Sequence, residues 1–366
     1  MIWGHNCVED KNVLPPETPR DVRLGLTRAR DVAFPLRWGI IGAGEISRQW
    51  VLSSRHCEGA TMAAVAARSG DRARAFAAQH GVEEAYGGYA EMLARADVDI
   101  IYIGTIDRLH KEHCLMAIDA GKHVLCEKAM ANNVTDAREM YAAANKNNVM
   151  LQDGVWTRFF PAVEHARSLI EDGEIGDVMT VQADFDTFYT TQAATLAFGD
   201  QKPARVQVAG RHFGPGGAML EFEGNRFAVL TFIAFPSEFP EVTEFIGTKG
   251  RITLEQPAHC PTRLTLRVPP RTPSRYSDAN QPSPEQRFDY PLPDTIHVPD
   301  AYPNQQGFIY QTEAIHRCLA AGLRECPQMD QQASLHNLQV LASIRELKEG
   351  RSHPVPSKTE SAAGNY

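Results

Sequence analysis

The sequence predicts an α/β fold in two parts, a doubly wound parallel sheet followed by an α+β part on a large open, mostly antiparallel sheet. Three observations predict it. A strand meets a glycine turn and then a helical pattern at residues 36–47, strand and helix patterns alternate up to about residue 158, and period-two strands take over beyond residue 200.

The first element is LRWGIIGAGEIS, residues 36–47. An apolar run, Trp38 to Ile41, enters the turn Gly42-Ala43-Gly44 and passes into a helix marked by Ile46, Trp50 and Val51. Gly42 permits the turn and Gly44 lets backbone approach a pyrophosphate. The amides opening the helix at Glu45 and Ile46 can hold phosphate charge, a helix-dipole gain of about 0.3–1 kcal/mol. Ser47 stands at the third fingerprint position, small enough for close helix-to-strand packing.

A second strand, 61–66, ends about twenty residues past that turn, where an NAD enzyme places a ribose-binding acid. Here the chain reads Ala67-Arg68, with Arg72 four residues on. Two arginines and no carboxylate favour NADP over NAD, because a guanidinium fork fits a 2′-phosphate. Arg74 reads as the wet face of a helix over 71–80.

Further strands are expected at 99–103, 123–126 and 149–152, with helices at 45–55, 88–95, 108–120 and 133–147. Ligands then lie at the strands' carboxyl ends. Those ends carry Gly104-Thr105 and Glu127-Lys128, and Thr105 or Asp107 could cap the helix holding His110 and His113.

A strand over 178–185 is followed by the helix-like TQAATLAFG. Strands are then expected at 206–211, 218–223, 226–234, 241–247, 251–255 and 263–268. Residues 269–303 hold nine prolines and read as one long irregular loop. Helices at 306–321 and 331–348 close the second part. Residues 1–35 read as a flexible extension and 351–366 as a disordered tail, so the expected domains are 36–158 and 159–350.

Composition narrows the function classes. A net charge of −8 over 366 residues advertises no basic face for nucleic acid or anionic lipid. No apolar run approaches a membrane span, and a soluble cytoplasmic protein is expected. The seven cysteines include no C-x-x-C pair and read as reduced core thiols, with no metal site.

Six segments together resemble one family: WGIIGAGEIS, AARSGDRARAFA, YIGTIDRLHKEHC, GKHVLCEKAM, WTRFFPAVEHARSLI and FIGTKGRITL. The chain is similar to the glucose-fructose oxidoreductase, inositol dehydrogenase and MocA family, with its N-terminal Rossmann domain. Within it, the chain is most similar to the dimeric dihydrodiol dehydrogenases and the fungal NADP-dependent D-xylose dehydrogenases. The resemblance implies that Lys128 faces the nicotinamide and the reacting hydroxyl, and that Glu127 binds the ribose region. It also implies that Thr105 and His110 line the cofactor and that Tyr189 serves in proton transfer. Trp156, Arg158 and Phe159 fall where the family admits substrate, and two readings stand: substrate contact, or an aromatic seal at the domain junction. A homodimer through the C-terminal sheet is implied as well, and Val229, Phe232, Ile233 and Phe235 would suit that or helix packing.

Two departures stand out. Ala129 replaces the proline of the family's Glu-Lys-Pro motif, leaving open whether the Lys128–Ala129 bond is cis. After residue 185 the glycine-rich segment that carries the family's aspartate is missing, and Asp186 is either a substitute or a helix cap. The expected function is therefore NADP-dependent oxidation of an aldose or trans-dihydrodiol hydroxyl. The alternative is a catalytically impaired NADP-binding sensor or scaffold.

Overall fold

The computed structural model describes residues 36–94, 97–210, 215–232, 240–269 and 283–349. The expected extension and tail lie outside these residues, as do Ile233 and Phe235.

A six-stranded parallel sheet has the order β3-β2-β1-β4-β5-β6. Its strands are β1 (Leu36–Ile41), β2 (Ala60–Ala66), β3 (Glu84–Tyr86), β4 (Ile100–Ile103), β5 (His123–Glu127) and β6 (Leu151–Gly154). Helices α1 (Glu45–Ser54), α2 (Gly70–His80), α3 (Tyr89–Leu93), α4 (His110–Asp119) and α5 (Val134–Lys146) connect them. The crossover between β1 and β4 puts the reversal of strand order beside the glycine turn, where a doubly wound sheet opens a crevice. The sheet is apolar on both faces: Ile40, Ile41, Ile100, Ile101, Tyr102 and Ile103 are fully buried. On one face Trp50 of α1 stacks on Tyr102 at 4.2 Å between ring centroids. Trp38 in turn donates from Nε1 to His316 Nε2 at 3.0 Å, tying β1 to a helix almost three hundred residues later.

The second sheet has eight strands in the order β14-β13-β12-β11-β7-β10-β9-β8. They are β7 (Val178–Phe185), β8 (Arg205–Gly210), β9 (Gly216–Phe222), β10 (Arg226–Phe232), β11 (Thr243–Gly247), β12 (Arg251–Leu254), β13 (Arg263–Arg267) and β14 (Glu285–Asp289). All neighbours are antiparallel except β7 and β10. Helices α6 (Pro161–Glu171), α7 (Thr187–Phe198) and α9 (Gln331–Glu349) pack on it, while α8 (Phe308–Ala320) packs on α1.

One expectation needs correction, and two details are added. The proline-rich stretch is not one irregular loop, because residues 285–289 add an edge strand in register with β13, with Leu264 opposite Phe288. Strand β3, three residues long, was too short to register as a pattern. Of the apolar residues that suit either subunit pairing or helix packing, the two described ones divide. Phe232 is 3% exposed under the Lys348 ammonium, whereas Val229 is 38% exposed, because residues three apart on a strand face opposite ways.

Candidate active site

The glycine turn is built for closeness. Gly42 has φ +104°, and a Cβ there would stand 2.9 Å from Thr105 Cγ2. Gly44 is the N-cap of α1 and brings no side-chain cap, so the first-turn amides remain available to an anion. A Cβ on Gly44 would meet nothing of the protein closer than 3.9 Å, so its lack of side chain clears the outer side of the turn. Ser47 is fully buried, and its Oγ would lie 2.2 Å from a Cβ on Gly104, which explains the small residue there. Glu45 is committed to Arg48 and Gln49, and Ile46 is partly buried against the core.

Arg68 is exposed immediately beyond β2. Ser69 caps α2, and Arg72 reaches back to donate to the Ala43 carbonyl at 3.2 Å. Arg72 thus flanks the glycine turn, and Arg68 stands exposed past the end of the neighbouring strand. Arg74 instead pairs with Asp71 at 2.6 Å on the solvent face, as its spacing indicated.

Beyond β4, Thr105 Oγ1 lies 2.9 Å from His113 Nδ1. Neither Thr105 nor Asp107 caps α4. A 3-10 turn over 107–109 leads into it, and the Asp107 carboxylate accepts from the Arg108 amide instead. His110 is buried, with Nε2 2.9 Å from the Thr105 carbonyl and Nδ1 3.0 Å from the Ala129 carbonyl. His110 therefore clasps the loop after β4 to the loop after β5.

That second loop holds Glu127 and Lys128, and the Lys128–Ala129 bond is cis. Tyr102 donates to Glu127 Oε1 at 2.9 Å, and the Lys128 amide lies 3.3 Å from Oε2. Burial pushes the Glu127 carboxyl up to about 7, opposed by the Lys128 charge and the Tyr102 bond. Lys128 Nζ lies 4.9 Å from the centre of the Tyr189 ring. The Lys128 ammonium is held well above its usual range by the charge of an ionised Tyr189, against burial, and then by Asp186 and Glu127. Burial pushes the Tyr189 phenol up to about 12 even against that ammonium. At neutral pH the phenol keeps its proton, and the charge on Lys128 then rests on Asp186 and Glu127.

Tyr189 stands in the first turn of α7. Asp186 is the N-cap, accepting from the Tyr189 amide at 2.8 Å, so β7 passes into α7 through one capped residue. Asp186 is thus a cap that also supports the Lys128 charge. Trp156 is 3% exposed, stacked on Phe308 at 4.7 Å, and its Nε1 donates to the Tyr189 hydroxyl at 2.9 Å.

The other two residues expected at the substrate cleft are both buried. Arg158 is 3% exposed and its guanidinium is turned inward, donating to Gln192 Oε1, the Gln192 carbonyl and Thr195 Oγ1 at 2.7–2.9 Å. A buried guanidinium needs such partners, and it anchors α7. Phe159 is 4% exposed within the apolar core. The sealing reading describes both.

The sequence missed three polar groups near this wall. His259 stacks on Phe185 at 4.6 Å and lies 5.2 Å from the Tyr189 ring, with Nδ1 bonded to Glu241. Asp153, at the end of β6, accepts from Ser334 at 2.6 Å, while its Oδ1 is buried without a hydrogen-bond partner. Burial pushes Asp153 up to about 7. Proximity to Tyr189 across the fold, the signal for His259 and its partner Glu241, is invisible in a linear pattern.

The profile of the oxidoreductase family with the NAD-binding Rossmann fold matches residues 36–155. Similar proteins include trans-1,2-dihydrobenzene-1,2-diol dehydrogenase of Sus scrofa, 31% identical over 340 residues, covering 85% of this chain and 95% of that one. The enzyme of the same name from Danio rerio is 34% identical over 325 residues, covering 80% and 91%. Among solved structures, levoglucosan dehydrogenase in complex with NADH and levoglucosan superposes with a TM-score of 0.70 at 16% identity, covering 86% and 97%. A 3-ketoreductase from Actinomadura kijaniata in complex with NADP gives 0.67 at 22%, covering 85% and 97%. These two show the shared fold. The glycine turn, the lysine at the end of β5, the open second sheet and the extent of the likeness to dihydrodiol dehydrogenases lead to one conclusion: the chain belongs to the glucose-fructose oxidoreductase, inositol dehydrogenase and MocA family of oxidoreductases, close to its dihydrodiol dehydrogenases.

Proposed function

We propose that the chain is an NADP-dependent dehydrogenase that oxidises a CH–OH group of a trans-dihydrodiol or an aldose such as D-xylose. The observation that carries this is the half-buried pair Lys128 and Tyr189, 4.9 Å from ammonium to ring centre, with Lys128 just past β5, two strands along the sheet from β1 and its glycine turn. The dihydrodiol dehydrogenases among the similar proteins support the diol class.

The residues present fit the cofactor: an uncapped helix N-terminus and a glycine turn clear of side chains suit a pyrophosphate, and Arg68 with Arg72 suits a 2′-phosphate. Bound NADP would supply the hydride acceptor. Glu45 and Ile46 contribute backbone amides to the pyrophosphate, and Thr105, His110 and Glu127 shape the path from there towards Lys128.

Lys128 polarises the substrate oxygen, and its charge is sustained by Asp186 and Glu127. Tyr189, held by Trp156, is the group that exchanges the hydroxyl proton. Because its phenol starts protonated, its own proton must pass to solvent hydroxide, leaving water, before the phenolate takes one from the alcohol, which favours the oxidation at alkaline pH. No aspartate from the family's missing segment enters this scheme. The test is calorimetric titration with NADPH and NADH: tight NADPH binding and weak NADH binding are expected, and equal or absent binding overturns the cofactor assignment.

The exposed face of β10 around Val229 supports a homodimer through the eight-stranded sheet, which sizing by light scattering would check. No helix of the described residues is long and apolar enough to cross a membrane, which is compatible with a cytoplasmic enzyme.

A further inference from the structure

Two aromatic faces bracket Lys128, those of Tyr189 and Phe188. Its Nζ lies 4.9 Å from the ring centre of Tyr189 and 5.8 Å from that of Phe188. The two rings stand at 88° with centroids 5.7 Å apart, so the ammonium sits in the corner between perpendicular faces. Consecutive helical residues project about 100° apart, which lets neighbours in the first turn of α7 form two walls of one corner. The face of an aromatic ring is its negative side and attracts a cation within about 6 Å. The turn that sets this corner is tightly tied. Asp186 accepts from the Tyr189 amide, Thr190 donates to the Asp186 carbonyl and Thr191 donates to the Phe188 carbonyl, each at 2.8 Å. Phe188 itself is half-buried and packs against both large apolar cores.

We infer that Phe188 is a positioning residue for Lys128: its ring face, with that of Tyr189, holds the ammonium where it meets the reacting oxygen. The two carboxylates that support the charge are engaged elsewhere. Glu127 accepts from Tyr102 and lies 3.3 Å from the Lys128 amide, and Asp186 caps α7. A ring face attracts the charge without fixing an N–H in one direction, so the ammonium's donors stay available to a substrate oxygen. Phe188 acts through Lys128. The inference rests on the dehydrogenase reading above and adds a residue to its machinery.

The test uses the NADP-loaded full chain with phenylalanine, 4-fluorophenylalanine or 3,4,5-trifluorophenylalanine at position 188. Fluorine drains the ring face of negative charge while nearly keeping its shape, so packing persists and the attraction weakens. With trans-1,2-cyclohexanediol or D-xylose as substrate, kcat should fall stepwise with fluorine number. Phe188→Leu should lower it by about two- to thirtyfold, the worth of one cation–π contact, and Phe188→Tyr, which keeps a ring face, should restore most of the rate. Unchanged NADPH affinity marks an intact variant, and where Phe188→Leu fails that check the fluorinated series decides. Equal kcat across the fluorinated series overturns the inference, because packing alone would give that result. Acylation of Lys128 by acetic anhydride, followed by mass spectrometry of its peptide, reads the bracket without turnover and should quicken with fluorine number. A wild type that turns over no diol or aldose would remove the dehydrogenase reading, and the acylation series would then decide the bracket by itself, a flat series overturning it.

Discussion

The glycine turn with its two arginines and the wall around Tyr189 are both parts of one site, yet they are prepared in opposite ways. At the turn, the groups that would meet the cofactor are backbone amides and exposed guanidiniums, with few bonds of their own. At the wall, Trp156, Arg158, Gln192, His259 and Glu241 are buried and Tyr189 is half-buried, with polar groups bonded within the wall. The first region gains its partners on binding. The second is set beforehand, which is what charge stabilisation at a reacting oxygen requires.

That contrast can be broken most forcefully at Lys128, where the two regions meet. Lys128→Ala should lower kcat by about 10² to 10⁴ while NADPH binding persists, since the phosphate contacts lie elsewhere. A variant that loses NADPH binding as well would merge the regions. Next in size, replacing both Arg68 and Arg72 by alanine should weaken NADPH binding by roughly 1.5–3 kcal/mol per lost charged hydrogen bond, with NADH binding little changed. Calorimetry on the four combinations reads this directly.

Smaller effects sharpen the picture of the wall. Trp156→Phe keeps most of the ring packing but removes the donor to the Tyr189 hydroxyl, so kcat should fall by about 0.5–1.5 kcal/mol in barrier terms with NADPH affinity intact. Stopped-flow turnover separates the two quantities. The smallest effect belongs to Asp153. Its folded value, about 7, lies above the usual 3.8, so the stability gained by keeping it protonated is complete below about pH 4 and is lost as pH rises through 7. Asp153→Asn should therefore melt like the wild type only near pH 4 and most above it at pH 8, by roughly 2–4 °C per kcal/mol relieved. Thermal denaturation at the two pH values checks it.

The same contrast explains what could be read from the sequence. Strand β1 and helix α1 were legible almost to the residue, because an apolar run, two glycines and a helical period are local signals. Lys128 was legible too, since strand ends are where a parallel sheet places its chemistry. Strand β14 was hidden by the prolines on either side and by its alternating charge, Glu285-Gln286-Arg287, which suits an edge. For Arg158 and Phe159 both readings stayed open in the sequence, because a motif locates a residue along the chain but not the side to which it turns. The His259–Glu241 pair joins positions 18 apart through loops, and packing alone brings it to Tyr189. The alternative of a cofactor-binding shell without activity rested on the shortened segment. In the fold, that shortening leaves Tyr189 beside Lys128, and the Lys128–Ala129 bond is cis without a proline.

The central claim is that Lys128 and Tyr189 suffice for hydride chemistry without the family's aspartate segment. The most direct measurement is NADPH formation, followed by absorbance, after mixing the protein and NADP with a trans-dihydrodiol at alkaline pH. The account predicts sustained NADPH formation by the wild type and almost none by Lys128→Ala. Tight NADP binding by the wild type with no NADPH formed from any diol or aldose would contradict it.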